Sequence, residues 1–153
     1  MRILVISDTH RDYYSAIRAV QQQPGAEVIL HLGDGADEAE RLRRQYSEKM
    51  VVSVRGNCDW GVETPPDALL RLENKTIYMT HGHLYNVKMS YYPLCCAARE
   101  RHADIVLFGH THTPVADYDD GLYLMNPGSL RDESYGIVDI TPAGIVTNLL
   151  KLR

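Results

Sequence analysis

The sequence has no long basic run, no cysteine framework and no apolar stretch of bilayer length, and each absence excludes a class of protein. Its 16 Lys and Arg are scattered among 20 Asp and Glu, giving a formal net charge of −4. Affinity that rests on neutralising many phosphates needs the opposite balance, so no extended nucleic-acid binding is expected. Only three cysteines occur, and Cys95 and Cys96 are adjacent, which is not the even framework of a small secreted scaffold. A bilayer span takes about 20 consecutive apolar residues, and without one no membrane partner is expected. A strand read from residue 2 onward leaves no room for a signal peptide, so a cytoplasmic location is the expectation. There is also no internal repeat, low-complexity tract or linker. Residues 1–153 are therefore expected to form a single domain, large enough for a core without staples.

What is present is a succession of short apolar runs with special residues at their ends. Arg2 to Ser7 is continuous and rich in β-branched residues, the pattern of a buried strand, and Asp8-Thr9-His10 follows it. Asp12 is placed to cap a helix reaching about Gln23, with Tyr13, Ala16, Ile17 and Val20 on its buried face. Glu27 to Leu32 is a second strand ending in Gly33-Asp34-Gly35. A second helix follows from about Ala36 to Tyr46, whose Asp37/Arg41 and Glu40/Arg44 pairs read as a solvated face. Met50 to Arg55 is a third strand, ending in Gly56-Asn57-Cys58-Asp59. Alternation of strand and helix builds a parallel sheet.

The second part of the chain reads differently. Ala68 to Leu72 and Thr76 to Thr80 form a hairpin around Asn74-Lys75. Tyr85 to Tyr92 has no clear pattern, and Pro93 opens a helix to about His102. Ile105 to Phe108 is another buried strand. Two hairpins close the chain, Val115–Tyr118 with Leu122–Met125, and Ser134–Ile140 with Ile145–Leu150.

Five of these strands end in residues suited to a cation: Asp8 with His10, Asp34, Asn57, His81, and His110 with His112. In α/β sheets, sites form beyond the carboxyl ends of strands. Asp34, Asn57 and His110 each follow a glycine, which lets the backbone turn sharply beside an ion. Taken as an extended segment, Gly109 to Thr113 would aim His110 and His112 at one point. Singly, each piece has an ordinary explanation as a turn, a surface loop or a satisfied histidine. Their joint placement points to a metal centre.

The series Asp8-Thr9-His10, Gly33-Asp34, Gly56-Asn57, His81-Gly82-His83 and Gly109-His110-Thr111-His112 resembles the calcineurin-like metallophosphoesterases. The likeness covers nearly the whole chain. It is strongest to small single-domain phosphodiesterases of the YfcE type, in which a segment like Asn126-Pro127-Gly128-Ser129 is common. The resemblance implies an α/β fold in four layers, a two-sheet β sandwich flanked by helices. By analogy Asp8, His10 and His112 would hold one metal, Asn57, His81 and His110 the other, and Asp34 would bridge. It further implies a metal-dependent phosphodiesterase that hydrolyses small phosphodiesters through a hydroxide activated by two metals. Asp34, Asn57 and His81 would be catalytic, and Asn57 with Arg11 would touch substrate. Mixed carboxylate, imidazole and amide ligands suit Mn²⁺ first, with Fe, Ni²⁺, Co²⁺ or Zn²⁺ also fitting. The same fold serves a retromer subunit as a binding module, so a protein-interaction scaffold is the alternative from another class. A phosphomonoesterase or a nuclease is the alternative among enzymes.

One departure from the family stands out. Many relatives carry a histidine after the asparagine, able to protonate the leaving group, and this chain has Cys58. A thiol is a poor general acid, so Cys58 is expected to pack, and good leaving groups are expected to be favoured unless His83 reaches the site. Arg11 stands where relatives often have glycine. Asp59 is expected to cap a turn or orient a ligand. His31 is expected to pack or to support a ligand. Val87 to Leu94 is the candidate contact face of a homo-oligomer.

Overall fold

The computed structural model describes residues 1–153, and its layers are built outward from β1 (Arg2–Ile6). Ile3 and Val5 face one core, while Leu4 and Ile6 face another. A strand covered on both sides must be apolar at every position, which is why this run does not alternate. β2 (Val28–His31) and β3 (Met50–Ser53) extend it in parallel register. On its other side β9 (Ser134–Thr141) and β10 (Gly144–Lys151) add an antiparallel pair, giving the order β10-β9-β1-β2-β3. The helices α1 (Tyr13–Gln22) and α2 (Ala36–Gln45) cover the outer face of this sheet through Ala16, Val20 and Leu42.

The second sheet has the order β4-β5-β6-β8-β7. It comprises β4 (Asp67–Leu72), β5 (Lys75–Thr80), β6 (Ile105–Leu107), β7 (Val115–Asp119) and β8 (Leu122–Asn126). β5, β6 and β8 are mutually parallel. Ile77, Met79, Ile105 and Leu107 meet Ile3, Val5 and Leu30 between the sheets. The helix α3 (Tyr92–Glu100) seals the far face with Leu94 and Ala98 against Tyr78, Val106 and Phe108. Burying one such side chain contributes about 1.5–3 kcal/mol. The four expected layers, helices on both sides of a two-sheet sandwich, are present.

Several local expectations are corrected. The β4–β5 turn is Glu73-Asn74, both at positive φ (48° and 64°), so Lys75 already belongs to β5. Two consecutive left-handed residues match the twist of the flanking strands. β3 ends at Ser53, not Arg55. The unassigned stretch opens with a short 3₁₀ turn, His83–Tyr85. Val87 and Leu94 are buried, whereas Met89 and Tyr92 between them are exposed, so both ends of the expected contact face belong to the core. Asp37 does not pair with Arg41, whose guanidinium lies 3.7 Å from the centre of the Tyr13 ring. Glu40 does pair with Arg44, at 3.1 Å.

Candidate metal centre

The parallel strands of both sheets end at one edge of the sandwich, and their loops interlock there. Asp8 N–H donates to the Gly33 carbonyl (3.0 Å), His10 N–H to the Asp34 carbonyl (3.0 Å), and Gly109 N–H to the His81 carbonyl (2.9 Å). Ligands from five loops are thereby drawn together. Asp8 is fully buried, and its Oδ1 lies 3.1 Å from His112 Nε2, 3.6 Å from His10 Nε2 and 3.9 Å from His81 Nε2. Asp34 Oδ2 lies 3.3 Å from His81 Nε2 and 3.8 Å from His10 Nε2. Three groups each fall within 4.8 Å: Asp8-His10-His112, Asp8-Asp34-His81 and His10-Asp34-Cys58. Asp8 and Asp34 are each shared by two of them.

His81 shows what kind of group the centre suits. Its Nδ1 sits 2.8 Å from the Leu32 carbonyl, an acceptor, so Nδ1 carries the proton and Nε2 turns a lone pair inward. Around Nε2 are Asn57 Oδ1 (3.0 Å) and the Asp34 and Asp8 carboxylates, all acceptors. His10 Nε2 is buried with no hydrogen-bond partner. Only a proton or a cation satisfies such a set, so the residues fit a divalent metal. Burial lowers the His81 pKa, but the neighbouring Asp34 and Asp8 carboxylates raise it further, for a net rise. Burial would lift the Asp34 carboxyl, yet His81 and the Cys58 N–H hold it well below the usual carboxylate range.

His110 and His112 both reach this edge of the sandwich, but they do not aim at one point. Both backbones are left-handed, with φ of 70° and 60°, so the segment is kinked, not extended. His112 turns to Asp8 and His10, its ring 5.4 Å from that of His10. His110 turns the other way, 5.0 Å from His81, and its N–H donates to Asp8 Oδ2 (3.1 Å). It lies outside the three compact groups. Burial and the neighbouring His81 push it down to about 4, which leaves its imidazole neutral near pH 7. Asp8, His10, Arg11 and Asp34 also take positive φ. At about 1–3 kcal/mol each, such strain is held by the surrounding hydrogen bonds.

Other residues build the support. Asp59 accepts from the N–H groups of Asp34, Gly35, Ala36 and Gly56 at 2.8–3.1 Å. It therefore does both expected jobs, capping α2 from a distance and joining the Asp34 loop to the Asn57 loop. Ser7 Oγ donates to Asp8 Oδ2 (2.6 Å) and Ser129 Oγ to the Asp8 carbonyl (2.9 Å). Asn126 is fully buried, and its Nδ2 donates to the Gly109 carbonyl (3.0 Å) and Thr111 Oγ1 (2.9 Å). Ser7 carried no signal in the sequence; Asn126 and Ser129 carried only the family likeness. A Cβ at Gly109 would lie 2.0 Å from Ser7 Oγ and 2.8 Å from Asp8 Oδ2. Gly109→Ala is expected to displace Asp8, destabilising the protein by about 1–3 kcal/mol and weakening metal uptake, as thermal melting with and without Mn²⁺ would record.

His31 is confirmed as a support, not a ligand. Gly33 N–H donates to its Nδ1 (3.1 Å), so Nε2 carries the proton and donates to Thr9 Oγ1 (3.0 Å), which in turn donates to Glu38 (3.3 Å). Burial pushes its pKa down to about 4, against the raising charge of Asp59. The unfolded chain, near 6.5, therefore takes up the proton first as pH falls. Stability is expected to drop between pH 6.5 and about 4, by up to roughly 3 kcal/mol from this residue. Urea unfolding of metal-free His31→Gln should show a shallower pH slope than the parent chain.

Cys58 does not pack. It is exposed at a cleft of about 500 Å³ that opens beside His10 and Asp34. Partial burial of the thiol and the Asp34 carboxylate push its pKa up. Asn57 is also exposed, and Arg11 lines the same cleft. The His83 ring lies tilted beside those of His81 and His110 (5.4 and 6.1 Å between centres), with Nδ1 buried and unpartnered.

The sequence profile described as Calcineurin-like phosphoesterase superfamily domain matches residues 1–142. The chain belongs to that superfamily. It is 33% identical over 146 residues to the "Probable metallophosphoesterase YsnB" of Bacillus subtilis, covering 92% of this chain and 85% of the relative. It is 31% identical over 170 residues to the "Phosphodiesterase YfcE" of Escherichia coli K12, covering 91% and 88%. A predicted phosphoesterase of Streptococcus pneumoniae superposes with a TM-score of 0.81 at 28% identity, covering 98% of this chain and 88% of that one. Vps29 of Entamoeba histolytica, solved with Zn²⁺, shares the fold at TM-score 0.74 and 19% identity, with both chains fully covered. Superfamily membership makes the protein a metal-binding hydrolase of the phosphoesterase kind, with divalent metals implied. No helix is long and apolar enough to cross a membrane.

Proposed function

We propose that the protein, acting as one domain, is a phosphodiesterase that hydrolyses small phosphodiesters with two divalent ions, manganese foremost. The observation that carries this is the centre itself. Two buried carboxylates face the Nε2 atoms of His10, His81 and His112 at 3.1–3.9 Å, and no lysine or arginine pairs with either. Asp8, His10 and His112 would hold one ion, Asn57, His81 and His110 the other, with Asp34 between. Bound ions polarise a phosphoryl oxygen, ease ionisation of a water and clamp the oxygens that enter and leave.

The chain's own residues complete the site. Asp34 stays ionised beside His81 and the Cys58 N–H, and so would offer a full charge to the ions. His81 is held by the Leu32 carbonyl, with one tautomer and one orientation. Asn57 turns Oδ1 to His81 (3.0 Å), and its Nδ2 donates weakly to Cys58 Sγ (3.6 Å), which leaves one amide N–H for a phosphoryl oxygen. Arg11, at the cleft wall, orients the anion. The open cleft favours a diester, because a second ester group has somewhere to lie. The name of the YfcE relative agrees with a diester substrate. The likeness to Vps29 is of fold alone, and the seven candidate ligands are all present here, which favours an enzyme over a scaffold.

With Mn²⁺ the purified protein is expected to hydrolyse bis-p-nitrophenyl phosphate faster than p-nitrophenyl phosphate. A faster monoester would make it a phosphomonoesterase. No turnover of either ester with Mn²⁺, Ni²⁺, Co²⁺ or Zn²⁺ would favour the scaffold reading.

A further inference from the structure

The metal centre takes up only one end of its cleft. The wall continues from His10 and Cys58 past the start of α2 to Trp60, with Arg11 and Arg131 also lining it. A volume of about 500 Å³ falls within the range of small-molecule sites and exceeds what a bare phosphate needs. Trp60 is the only tryptophan of the chain, and it is 87% exposed. No core explains it, yet its indole lines the cleft.

Arg11 is equally unexplained by packing. Its backbone sits at φ 73°, a conformation that costs a non-glycine residue energy. The arginines that pair with carboxylates are Arg2, Arg18, Arg43, Arg44 and Arg99, which leaves the guanidiniums of Arg11 and Arg131 available to an anion. Asp37 lines the cleft too, released because Arg41 stacks on Tyr13 instead. The other acidic groups are committed, Glu38 to Thr9 and Asp59 to four backbone N–H groups.

We propose that this cleft is a nucleoside subsite in which Trp60 stacks on the base, Arg11 and Arg131 meet phosphate oxygens, and Asp37 accepts N–H groups of the base. The substrate is then a nucleotidyl phosphodiester of about one nucleotide beside the scissile phosphorus. The inference rests on the phosphodiesterase reading of the centre and names its substrate class. A lipid diester would leave the two arginines and Asp37 facing hydrocarbon, a costly placement. A long nucleic acid would call for a basic stripe, which a chain of net charge −4 does not carry.

Because Trp60 is unique, its fluorescence reports the subsite directly. Titration of the Mn²⁺-loaded protein with AMP is expected to quench it saturably, while ribose 5-phosphate and inorganic phosphate leave it unchanged. Equal quenching by ribose 5-phosphate, or no saturation with AMP up to high millimolar, would overturn the proposal. A kinetic arm compares kcat/KM for the p-nitrophenyl ester of thymidine 5′-phosphate with that for methyl p-nitrophenyl phosphate. Trp60→Ala is expected to lower this ratio about tenfold, within the range of one base stacked on an aromatic ring, and Trp60→Phe to restore most of it. An unchanged ratio would likewise overturn it. The two readings fail separately. Base-specific quenching without hydrolysis of any diester removes the catalytic reading and keeps the binding site, whereas hydrolysis without base-specific quenching removes the subsite alone.

Discussion

Asp34→Asn is expected to abolish diester hydrolysis and to empty the centre of metal, the largest effect of any single change. Oδ1 of Asp34 accepts the Cys58 N–H at 2.8 Å, and Oδ2 lies between His81 and His10 at 3.3 and 3.8 Å. Asparagine keeps the shape but removes the charge. One half of its amide becomes an N–H donor that must face either the Cys58 N–H or the inward lone pair of an imidazole. The loss should exceed the roughly 10- to 100-fold that follows removal of a residue which only orients a ligand. Stability distinguishes a lost ligand from a broken fold. The parent chain should melt higher with Mn²⁺ because the folded state alone binds it, and the variant should not. In the absence of metal the variant should melt somewhat lower, since the depressed pKa of Asp34 means that its charge favours the folded state, but it should still unfold in one cooperative step. Retention of metal content and rate would remove Asp34 from the place between the ions that is proposed for it.

Cys58→His should raise the rate on esters with poor leaving groups by about 100-fold, the lower end of what a placed general acid contributes. The residue is exposed at the cleft, and its backbone is pinned by Asp34, so an imidazole there points at the substrate without disturbing the core. The thiol it replaces is held protonated by burial and by Asp34, and a neutral thiol is a weak hydrogen-bond donor. Cys58 shares a 4.8 Å group with His10 and Asp34, but it is not among the seven proposed ligands. Metal content should therefore be unchanged. A series of aryl methyl phosphates tests this. The rate should fall steeply with leaving-group pKa in the parent chain and less steeply in the variant. Identical slopes would show that proton donation does not limit the reaction, or that His83 already supplies it.

The gross architecture was legible because burial on both faces leaves a plain mark. Ile3 to Ile6 and Ile105 to Leu107 are unbroken apolar runs, since each faces a core on either side. The candidate ligands were legible for a related reason. Sites form where parallel strands end, and at those ends the chain changes abruptly from aliphatic to glycine, carboxylate and imidazole. Less could be read where distant backbone decides. The expectation that His110 and His112 aim at one point from an extended segment did not allow for their left-handed backbones, which are stabilised by Asn126 and Asp8, residues far away in the chain, and turn the two rings to different partners. Asp59 looked like a turn residue, and nothing nearby in sequence shows that it receives the N–H groups of another loop. Cys58 was expected inside and stands at the cleft. Arg131 and Trp60 had no local pattern at all.

By itself, the order of residues determined which strands are buried, roughly where they end and which donors follow them, because those depend on periodicity and on neighbours along the chain. Only the tertiary structure decided which donors meet and which lone pairs lack a proton. It alone also decided which arginines remain free beside the cleft. Those outcomes follow from hydrogen bonds between loops more than 20 residues apart, and no local propensity encodes them.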